Sequence, residues 1–200
     1  MIALIDYGAG NLTSVRKGFA AAAADLFTPG DPAELSRAHG IVVPGVGNFG
    51  ATAALEGAWT SAIRTAVNEG TPLLGICLGM QWLYEGSDEA SGVSGLGVIA
   101  GKCTRLPRTG ALKVPHVGWN SLRAPRPSRL LAGVAEETQV YFTHSYAAPV
   151  TTESAATCEH GALFAAAVER GHIFGVQFHP EKSSDAGIRI LRNFVAAAKG

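Results

Sequence analysis

Cys77 stands between two glycines at a position that suits a nucleophile. The pattern Gly75-x-Cys77-x-Gly79 follows the apolar run Leu73–Ile76 and precedes helix-favouring residues 78–84. Flanking glycines permit the sharp strand-to-helix turn of a nucleophile elbow, here with sulfur in place of a serine oxygen. The N-terminus of the following helix would favour a thiolate and bind an oxyanion. The alternative is a buried cysteine with no chemical role, so the interpretation requires a base and an oxyanion donor elsewhere.

His179 is the candidate base. It ends the apolar run 173–178, Pro180 then stops the strand, and Glu181 lies two residues beyond the histidine. In extended backbone, residues i and i+2 lie on the same side, so the carboxylate can orient the imidazole toward a thiol. With Cys77, this predicts an acyl-transfer site in which the thiolate attacks a carbonyl, His179 shuttles the proton and Glu181 orients His179. The histidines at element edges are assigned surface or structural roles: His39, His160 and His172.

Glycines after the third predicted strand leave two interpretations open. Gly45-x-Gly47-x-x-Gly50 has the spacing of a dinucleotide-binding fingerprint, and it follows a strand and precedes a predicted helix. Pro44 interrupts the strand-to-glycine junction, however, and no strand ending in an acid follows about 20 residues on. Beside a nucleophile elbow, the same turn could present backbone N–H groups to a developing oxyanion.

Composition excludes several classes of protein. Hydrophobic residues make up 47% of the 200 residues and charged residues 16%, which argues against disorder. Lys+Arg and Asp+Glu both number 16, so no basic surplus favours nucleic acid. Three cysteines without a CxxC pair suggest neither a disulfide framework nor a zinc site. The N-terminus lacks the basic region of a signal peptide and no apolar run reaches membrane-spanning length. We therefore expect a cytoplasmic protein with no metal, membrane or nucleic-acid partner.

Hydrophobic patterning predicts the elements that must position these residues. The first half alternates strands with helices, and Asn11 or Thr13 can cap the first helix. The second half is rich in short strands, with a hairpin predicted across Arg170-Gly171. The predicted strands span residues 2–5, 26–27, 40–43, 73–76, 98–102, 113–117, 139–142, 155–160, 162–169 and 172–178. The predicted helices end near residue 24 or span 32–38, 51–68 and 185–198, and 86–97 is predicted to be a loop. Residues 1–200 are thus predicted to form a single α/β domain, with a mostly parallel central sheet flanked by helices and antiparallel β extensions in the C-terminal half.

Two motifs together resemble the class I glutamine amidotransferase family: Gly75-Ile-Cys77-Leu-Gly-Met-Gln81 and Gln177-Phe-His179-Pro-Glu181. In that family a cysteine, a histidine and a glutamate hydrolyse glutamine and release ammonia. Five motifs in order are similar to one branch of it, the glutaminase subunits of imidazole glycerol phosphate synthases: Asp6-Tyr-Gly-Ala-Gly-Asn11, Pro44-Gly-Val-Gly47, Cys77-Leu-Gly-Met-Gln81, His116-Val-Gly-Trp-Asn120 and His179-Pro-Glu-Lys-Ser183.

The resemblance implies further roles around Cys77. The Leu78 N–H would be one oxyanion donor, and a peptide N–H of the Gly45–Val46–Gly47 loop the other. Gln81 and Glu89 would contact the glutamine, Glu89 through the α-ammonium group. Backbone around Ser145 and Tyr146 would receive the α-carboxylate. No cofactor is implied.

The resemblance also implies a partner, a (β/α)₈ cyclase subunit in a heterodimer. Ammonia would pass to that subunit, which makes imidazole glycerol phosphate and AICAR from PRFAR in histidine biosynthesis. The residues that would face it are Asn11, Trp119, Asn120, Tyr141 and Lys182; the alternative for Trp119 is a core aromatic. Three other functions stay open: a glutaminase serving another synthase, a catalytically idle scaffold, and a dinucleotide-binding α/β protein.

Overall fold

A seven-stranded sheet places the strand before Cys77 beside the strand that leads to His179. A computed structural model of the protein describes residues 1–110, 112–123 and 126–200. Its strands are β1 (Ile2–Leu4), β2 (Leu26–Phe27), β3 (Gly40–Val43), β4 (Leu73–Ile76), β5 (Gly86–Ser87), β6 (Lys102–Arg105), β7 (His116–Ser121), β8 (Gln139–His144), β9 (Tyr146–Ala147), β10 (Ser154–Glu159), β11 (Leu163–Arg170) and β12 (Ile173–Val176). Its α-helices are α1 (Leu12–Ala21), α2 (Ala58–Asn68), α3 (Leu78–Trp82) and α4 (Ser184–Ala197). Short 3₁₀ helices span Pro32–Arg37, Phe49–Leu55 and Pro180–Lys182.

The order of the large sheet is β10-β11-β12-β4-β3-β1-β2. The five strands from β12 to β2 run parallel, and β10 and β11 extend the sheet as antiparallel strands. Gly175 pairs with Gly75, and Val176 with Ile76, so β12 and β4 end level with each other. Because both chains leave the sheet at its carboxyl edge, Cys77 and His179 emerge side by side. The predicted α/β class and the mostly parallel sheet are confirmed.

Both faces of the sheet are covered, which explains why β4 has no polar residue. All four residues of β4 are buried. One face packs with α1 and α4, whose Phe19 and Phe194 rings meet edge to face. The other packs with α2 through Ile63. Among the described residues, none of the helices combines the length and apolar character that crossing a bilayer requires.

Two predicted helices of the first half differ from the structure. Residues 51–68 were expected to form one helix, but they are divided into the 3₁₀ helix Phe49–Leu55 and α2. Gly57 separates them with φ of 74°, a left-handed conformation that ends a helix. The predicted helix 32–38 is a 3₁₀ helix that covers Pro32–Arg37. The predicted cap of α1 is confirmed, since Asn11 Oδ1 accepts a hydrogen bond from the Ser14 N–H.

The second half corrects two predicted strands. Residues 98–102 were expected to form a strand, but the N–H groups of Val98 and Ile99 both donate to the Leu83 carbonyl at the end of α3. The strand β6 therefore starts only at residue 102. Residues 113–117 were also predicted as a strand, but β7 begins after Pro115, which has no N–H for a ladder.

Small strands and a hairpin complete the second half. The predicted loop 86–97 contains β5, which pairs with β6. The strand β9 was not predicted; it pairs with the other edge of β6, while β7 and β8 form a separate two-stranded sheet. The predicted hairpin between β11 and β12 is confirmed, with Arg170 paired to Ile173 and Gly171 at φ of 60°.

Candidate active site

Cys77 occupies a strained turn between β4 and α3. Its φ of 54° and ψ of −107° lie where side chains are rarely tolerated, a strain of roughly 1–3 kcal/mol. A side chain on Gly79 would place its Cβ 1.8 Å from the Val43 carbonyl oxygen, and one on Gly75 would place it 2.5 Å from the Gly79 oxygen. Both clashes involve backbone, so neither glycine can be replaced without moving the turn. The predicted sharp turn between strand and helix at Cys77 is confirmed.

His179 and Glu181 form a buried ion pair behind the elbow. Their side chains are each 2% exposed, and His179 Nδ1 lies 2.8 Å from Glu181 Oε1. The backbone between them is a 3₁₀ turn, Pro180–Lys182, and not the extended chain we predicted from the spacing. Proline at the start of that turn fixes a helical φ, yet the carboxylate still reaches the ring. The backbone N–H of His179 donates to the Tyr141 carbonyl oxygen at 2.8 Å, which anchors this segment to β8.

The electrostatics of His179 favour its protonated form. Burial alone would lower the pKa of His179, but hydrogen bonding to Cys77 and Glu181 and their negative charges raise it to about 10. The alignment with sulfur is incomplete, because Nε2 is buried without a geometrically sound hydrogen bond and Cys77 Sγ lies 3.9 Å from the Thr143 carbonyl oxygen. The charge interaction depends less on alignment than the hydrogen bond does, so the neighbouring negative charges keep the pKa of His179 raised. A rotation of the Cys77 side chain would complete the pair.

A cavity of about 200 Å³ opens over the sulfur. Seven residues predicted for the site line it: Gly47, Cys77, Leu78, Gln81, Glu89, Ser145 and Tyr146. Pro115, Thr143 and His144 complete the wall. His179 and Glu181 are not among the lining residues, and both of their side chains are buried. The side chain of Val46 is 38% exposed and lies outside the lining.

Gln177 contacts the nucleophile, although the sequence did not single it out. Its Nε2 lies 3.7 Å from Cys77 Sγ, and its Oε1 accepts from Gln81 Nε2 at 3.0 Å. The same nitrogen of Gln81 donates to the Tyr146 carbonyl at 2.8 Å. The available signal was a fully buried polar residue two positions before His179, which must find hydrogen-bond partners. Both hydrogen bonds of Gln81 Nε2 are thus made to protein acceptors. The predicted contact of Gln81 with glutamine would therefore have to be made by its amide oxygen.

Glu89 is half-buried at the edge of the cavity, where a carboxylate suits an ammonium group. Its Oε2 accepts a hydrogen bond from the Phe49 N–H at 2.8 Å. Glu89 therefore also fixes the start of the 3₁₀ helix that follows the Gly45–Val46–Gly47 loop. The predicted acidic loop is tied to the site through this contact.

The Gly45–Val46 peptide is turned away from the predicted oxyanion arrangement. The Leu78 N–H donates to the Gly45 carbonyl oxygen at 3.3 Å. The N–H that a substrate oxyanion would use is therefore already hydrogen-bonded within the protein. In a trans peptide the Val46 N–H points the opposite way. A Cβ on Gly45 would lie 2.2 Å from the Tyr7 hydroxyl, which explains the need for glycine here.

The sequence of the whole chain decides the family. Residues 3–198 match the model of the family described as glutamine amidotransferase class-I. The chain belongs to the class I glutamine amidotransferase family. The dinucleotide interpretation of the glycine turn is therefore wrong, and in this amidotransferase Gly45 packs against the elbow.

Curated relatives of this amidotransferase carry a narrower name. The imidazole glycerol phosphate synthase subunit HisH of Geobacillus kaustophilus is 47% identical over 208 residues, which cover 100% of this chain and 98% of the relative. The subunit of the same name from Moorella thermoacetica is 45% identical, with 96% and 93% covered. A crystal structure of a glutamine amidotransferase superposes with a TM-score of 0.77 at 18% identity, covering 100% of both chains. The glutaminase domain of Trypanosoma brucei CTPS with bound acivicin gives 0.71 at 20% identity, covering 99% and 93%. These two structures support the fold alone.

An exposed aromatic cluster lies at the edge of the amidotransferase. Trp119 is 52% exposed, so the core alternative for it is wrong. Its ring meets Tyr141 edge to face at 6.1 Å, and Lys182 Nζ lies 5.7 Å from the Tyr141 ring centroid. The side chain of Asn120 instead reaches the Glu159 carbonyl at 3.1 Å. Three of the five predicted partner residues therefore share one surface, which we call the Trp119 cluster (Trp119, Tyr141 and Lys182).

Alkylation should distinguish Cys77 from the other two cysteines of the amidotransferase. Burial raises the pKa of Cys158 to about 12 and raises that of Cys103 further, so both stay thiols at neutral pH. Cys77 lines the cavity beside an imidazolium. Iodoacetamide at pH 7 is expected to modify Cys77 alone, as measured by peptide mass spectrometry, with Cys77→Ala as the control. Comparable modification of Cys103 in the folded protein would contradict the assignment.

Proposed function

We propose that this chain is the glutaminase subunit of an imidazole glycerol phosphate synthase in histidine biosynthesis. It hydrolyses L-glutamine to glutamate and ammonia through a thioester on Cys77. The ammonia passes to a (β/α)₈ cyclase subunit, which makes imidazole glycerol phosphate and AICAR from PRFAR. One observation carries the chemical part of this proposal: a single cavity holds the elbow cysteine together with the residues predicted to bind glutamine. The names of the full-length relatives support the pathway.

The geometry supports a two-stage reaction. The thiolate of Cys77 attacks the side-chain amide carbon of glutamine, and the imidazolium of His179 gives its proton to the departing nitrogen, which leaves as ammonia. The neutral imidazole then takes a proton from water, which attacks the thioester and releases glutamate and the thiolate. Glu181, 2.8 Å from His179 Nδ1, stabilises the imidazolium in both stages. Because the pKa of His179 is raised, the acid needed for the first stage is already present at neutral pH.

The cavity supports recognition of both ends of glutamine. Glu89 would pair with the α-ammonium group, and the Ser145–Tyr146 backbone would receive the α-carboxylate. These groups and Cys77 line the same wall, so a bound glutamine would extend from its α-carbon, between Glu89 and the Ser145–Tyr146 backbone, to its side-chain amide at the sulfur. No metal or redox group is needed for an amide hydrolysis of this kind.

The Trp119 cluster is the proposed surface for the cyclase subunit. An exposed tryptophan beside a tyrosine and a lysine is the composition of an interface hot spot. The cluster is also joined to the active site, because the Tyr141 carbonyl accepts the His179 N–H. A subunit bound there would contact the segment that carries His179, because Lys182 lies in the 3₁₀ turn that follows it. Asn11, which caps α1, is proposed to extend this interface, and Asn120 to support it from the opposite face of β7, where its side chain reaches the Glu159 carbonyl.

The test of the function is an assay of glutaminase activity with and without a cyclase subunit. We expect glutamate release to rise sharply when the cyclase and its acceptor substrate are added, with imidazole glycerol phosphate formed in equal amount. A glutaminase that serves another synthase would release glutamate without that coupling. Absence of glutamate release in every mixture would contradict the glutaminase assignment itself.

The orientation of the Gly45–Val46 peptide predicts how the partner stimulates the reaction. In the structure the Gly45 carbonyl occupies the Leu78 N–H, so the oxyanion lacks both donors until the peptide turns over. Glycine at position 45, with no Cβ, permits that rotation at low cost. Losing one oxyanion donor costs roughly 10²–10³ in turnover. The isolated chain is therefore expected to be a poor glutaminase.

Steady-state kinetics of the free chain and of the complex with acceptor substrate provide the measurement. The donors act on the transition state, so kcat should rise far more than KM falls. Ammonium-driven synthesis is the control, since it bypasses this loop. Equal kcat in the two states, or a change confined to KM, would rule out the rotation.

A further inference from the structure

A series of buried and part-buried hydrogen bonds runs from β7 to the Tyr146 carbonyl at the cavity wall. Asn120 Nδ2 lies 3.3 Å from His116 Nε2, and His116 Nδ1 lies 3.1 Å from His144 Nε2. His144 Nδ1 then lies 2.9 Å from the Tyr146 carbonyl oxygen. The two histidines are 4% and 7% exposed. The catalytic chemistry described above uses neither of them.

The partners fix the direction of every bond in this series. A carbonyl oxygen only accepts, so His144 carries its proton on Nδ1 and its Nε2 must accept. His116 therefore donates from Nδ1, and its Nε2 accepts from the Asn120 amide. Asn120 is itself oriented, because its Oδ1 accepts the Ser121 N–H at 2.8 Å and its Nδ2 also donates to the Glu159 carbonyl at 3.1 Å. One tautomer of each histidine satisfies all of these contacts.

Both histidines are neutral, as this arrangement requires. Burial lowers the pKa of His144 to about 3, an effect that its hydrogen bond to the Tyr146 carbonyl only partly opposes. Burial, followed by the neighbouring His160, lowers the pKa of His116 to about 4. Stacking also holds the His116 ring, with Phe142 at 4.8 Å and His160 at 4.1 Å between centroids.

The series of hydrogen bonds ends at the Ser145–Tyr146 backbone, which lines the proposed glutamine site. The Tyr146 carbonyl accepts from His144 on one side and from Gln81 Nε2, at 2.8 Å, on the other. The preceding carbonyl, that of Ser145, accepts the Leu106 N–H at 2.9 Å. Two consecutive carbonyls are thus held by the protein, which sets the orientation of the backbone between them at the cavity wall.

We propose that His116 is a positioning residue for glutamine: by donating its Nδ1–H to His144 Nε2, it holds the His144 ring against the Tyr146 carbonyl and so fixes the Ser145–Tyr146 backbone that receives the α-carboxylate. This inference rests on the proposed function. His116 touches no substrate, so its contribution is to ground-state binding and not to the chemical step. Its Nδ1–H is the part of the side chain that matters, while its ring serves packing.

Two variants of His116 separate the donor from the ring. His116→Phe keeps a stacked ring but removes the Nδ1–H, which leaves His144 Nε2 without its donor and the His144 ring less firmly held against the Tyr146 carbonyl. His116→Asn loses the ring but can keep an N–H near the Nδ1 position. For the complex with its cyclase and acceptor, His116→Phe is expected to raise KM for glutamine roughly 3- to 10-fold, the loss of one net hydrogen bond, with little change in kcat. His116→Asn should keep a KM close to that of the wild type while its Tm falls further.

The ¹⁵N resonance of His144 Nε2 gives a readout that does not depend on activity. In ¹⁵N NMR spectra of the labelled chain, the Nδ1–H form of His144 should persist in the wild type and in both variants, because the Tyr146 carbonyl still accepts. The resonance of the unprotonated Nε2 should move downfield in His116→Phe alone, where that nitrogen has lost its donor. An unchanged KM in a folded His116→Phe protein would overturn the inference, as would equal rises in KM for the two variants, which indicate a packing role. Failure of the proposed function is distinguishable, because the wild-type complex itself would then release no glutamate.

Discussion

Replacing Cys77 with alanine is expected to abolish glutamine-dependent synthesis by the complex and to leave ammonium-driven synthesis intact. Cys77 is the only group at the elbow that can form the thioester, whereas the acceptor is used on the proposed partner subunit. The substitution removes only the sulfur atom. The backbone of residue 77 already has a φ of 54° with a side chain present, so the turn should persist with alanine. The measurement is product formation from glutamine and from ammonium, side by side, with assembly checked by gel filtration.

Cys158 provides the matched control. It is also a buried free cysteine, but it lies in β10, away from the cavity. Cys158→Ala should retain both activities. If Cys77→Ala lost the ammonium-driven reaction while still forming the complex, the proposed division of labour between the subunits would be wrong.

The change Glu181→Gln is expected to preserve the fold and lower turnover strongly. It places a neutral amide where a 2%-exposed carboxylate now lies 2.8 Å from His179 Nδ1. The equivalent change in a serine triad costs roughly 10⁴-fold. We expect a smaller loss, on the order of 10²–10³-fold, because a thiolate and an imidazolium stabilise each other without the carboxylate. The measurement is kcat of the complex at saturating glutamine.

The same variant has a signature in the pH dependence of stability. The pKa of His179 in the folded protein, about 10, lies above its ordinary value of 6.5. Its contribution to stability is therefore fully present below pH 6.5 and is lost as the pH rises through about 10. The stability advantage of the wild type over Glu181→Gln should shrink across that window in denaturant titrations.

Glu34→Gln is the control for Glu181, since Glu34 pairs with Arg37 at the surface and should matter little. Near-normal turnover in Glu181→Gln would remove Glu181 from the mechanism.

The sequence was sufficient for features that depend on local pattern. The fully buried strands β3 and β4 are apolar runs; Pro44 follows β3 and Pro72 precedes β4. The candidate triad could be proposed from the sequence because the elbow glycines and the pair His179–Glu181 are local spacings. Their meeting in space followed once β4 and β12 were placed as parallel neighbours.

Other features depend on contacts between distant parts of the chain. His116 and His144 are 28 residues apart and meet only because β7 pairs with β8. Asn120 is turned inward by strand alternation, which the motif His116-Val-Gly-Trp-Asn120 does not reveal on its own. The Gly45–Val46 peptide can take either of two orientations, because glycine at position 45 tolerates the backbone angles of both. The residue types therefore do not reveal which orientation the structure adopts.

The hydrogen bond from Leu78 to the Gly45 carbonyl has a thermodynamic consequence for assembly. One such bond contributes a net ~0.5–1.5 kcal/mol, which favours the resting peptide by roughly 2- to 13-fold. A stimulation of 10²–10³ requires about 2.7–4.1 kcal/mol, so the partner must discriminate between the two orientations by more than this bond alone provides. Coupling between two binding sites is reciprocal. Suppose that the partner raises the affinity of this chain for a glutamine analogue that forms an oxyanion on Cys77. That analogue must then raise the affinity of the chain for the partner by the same factor.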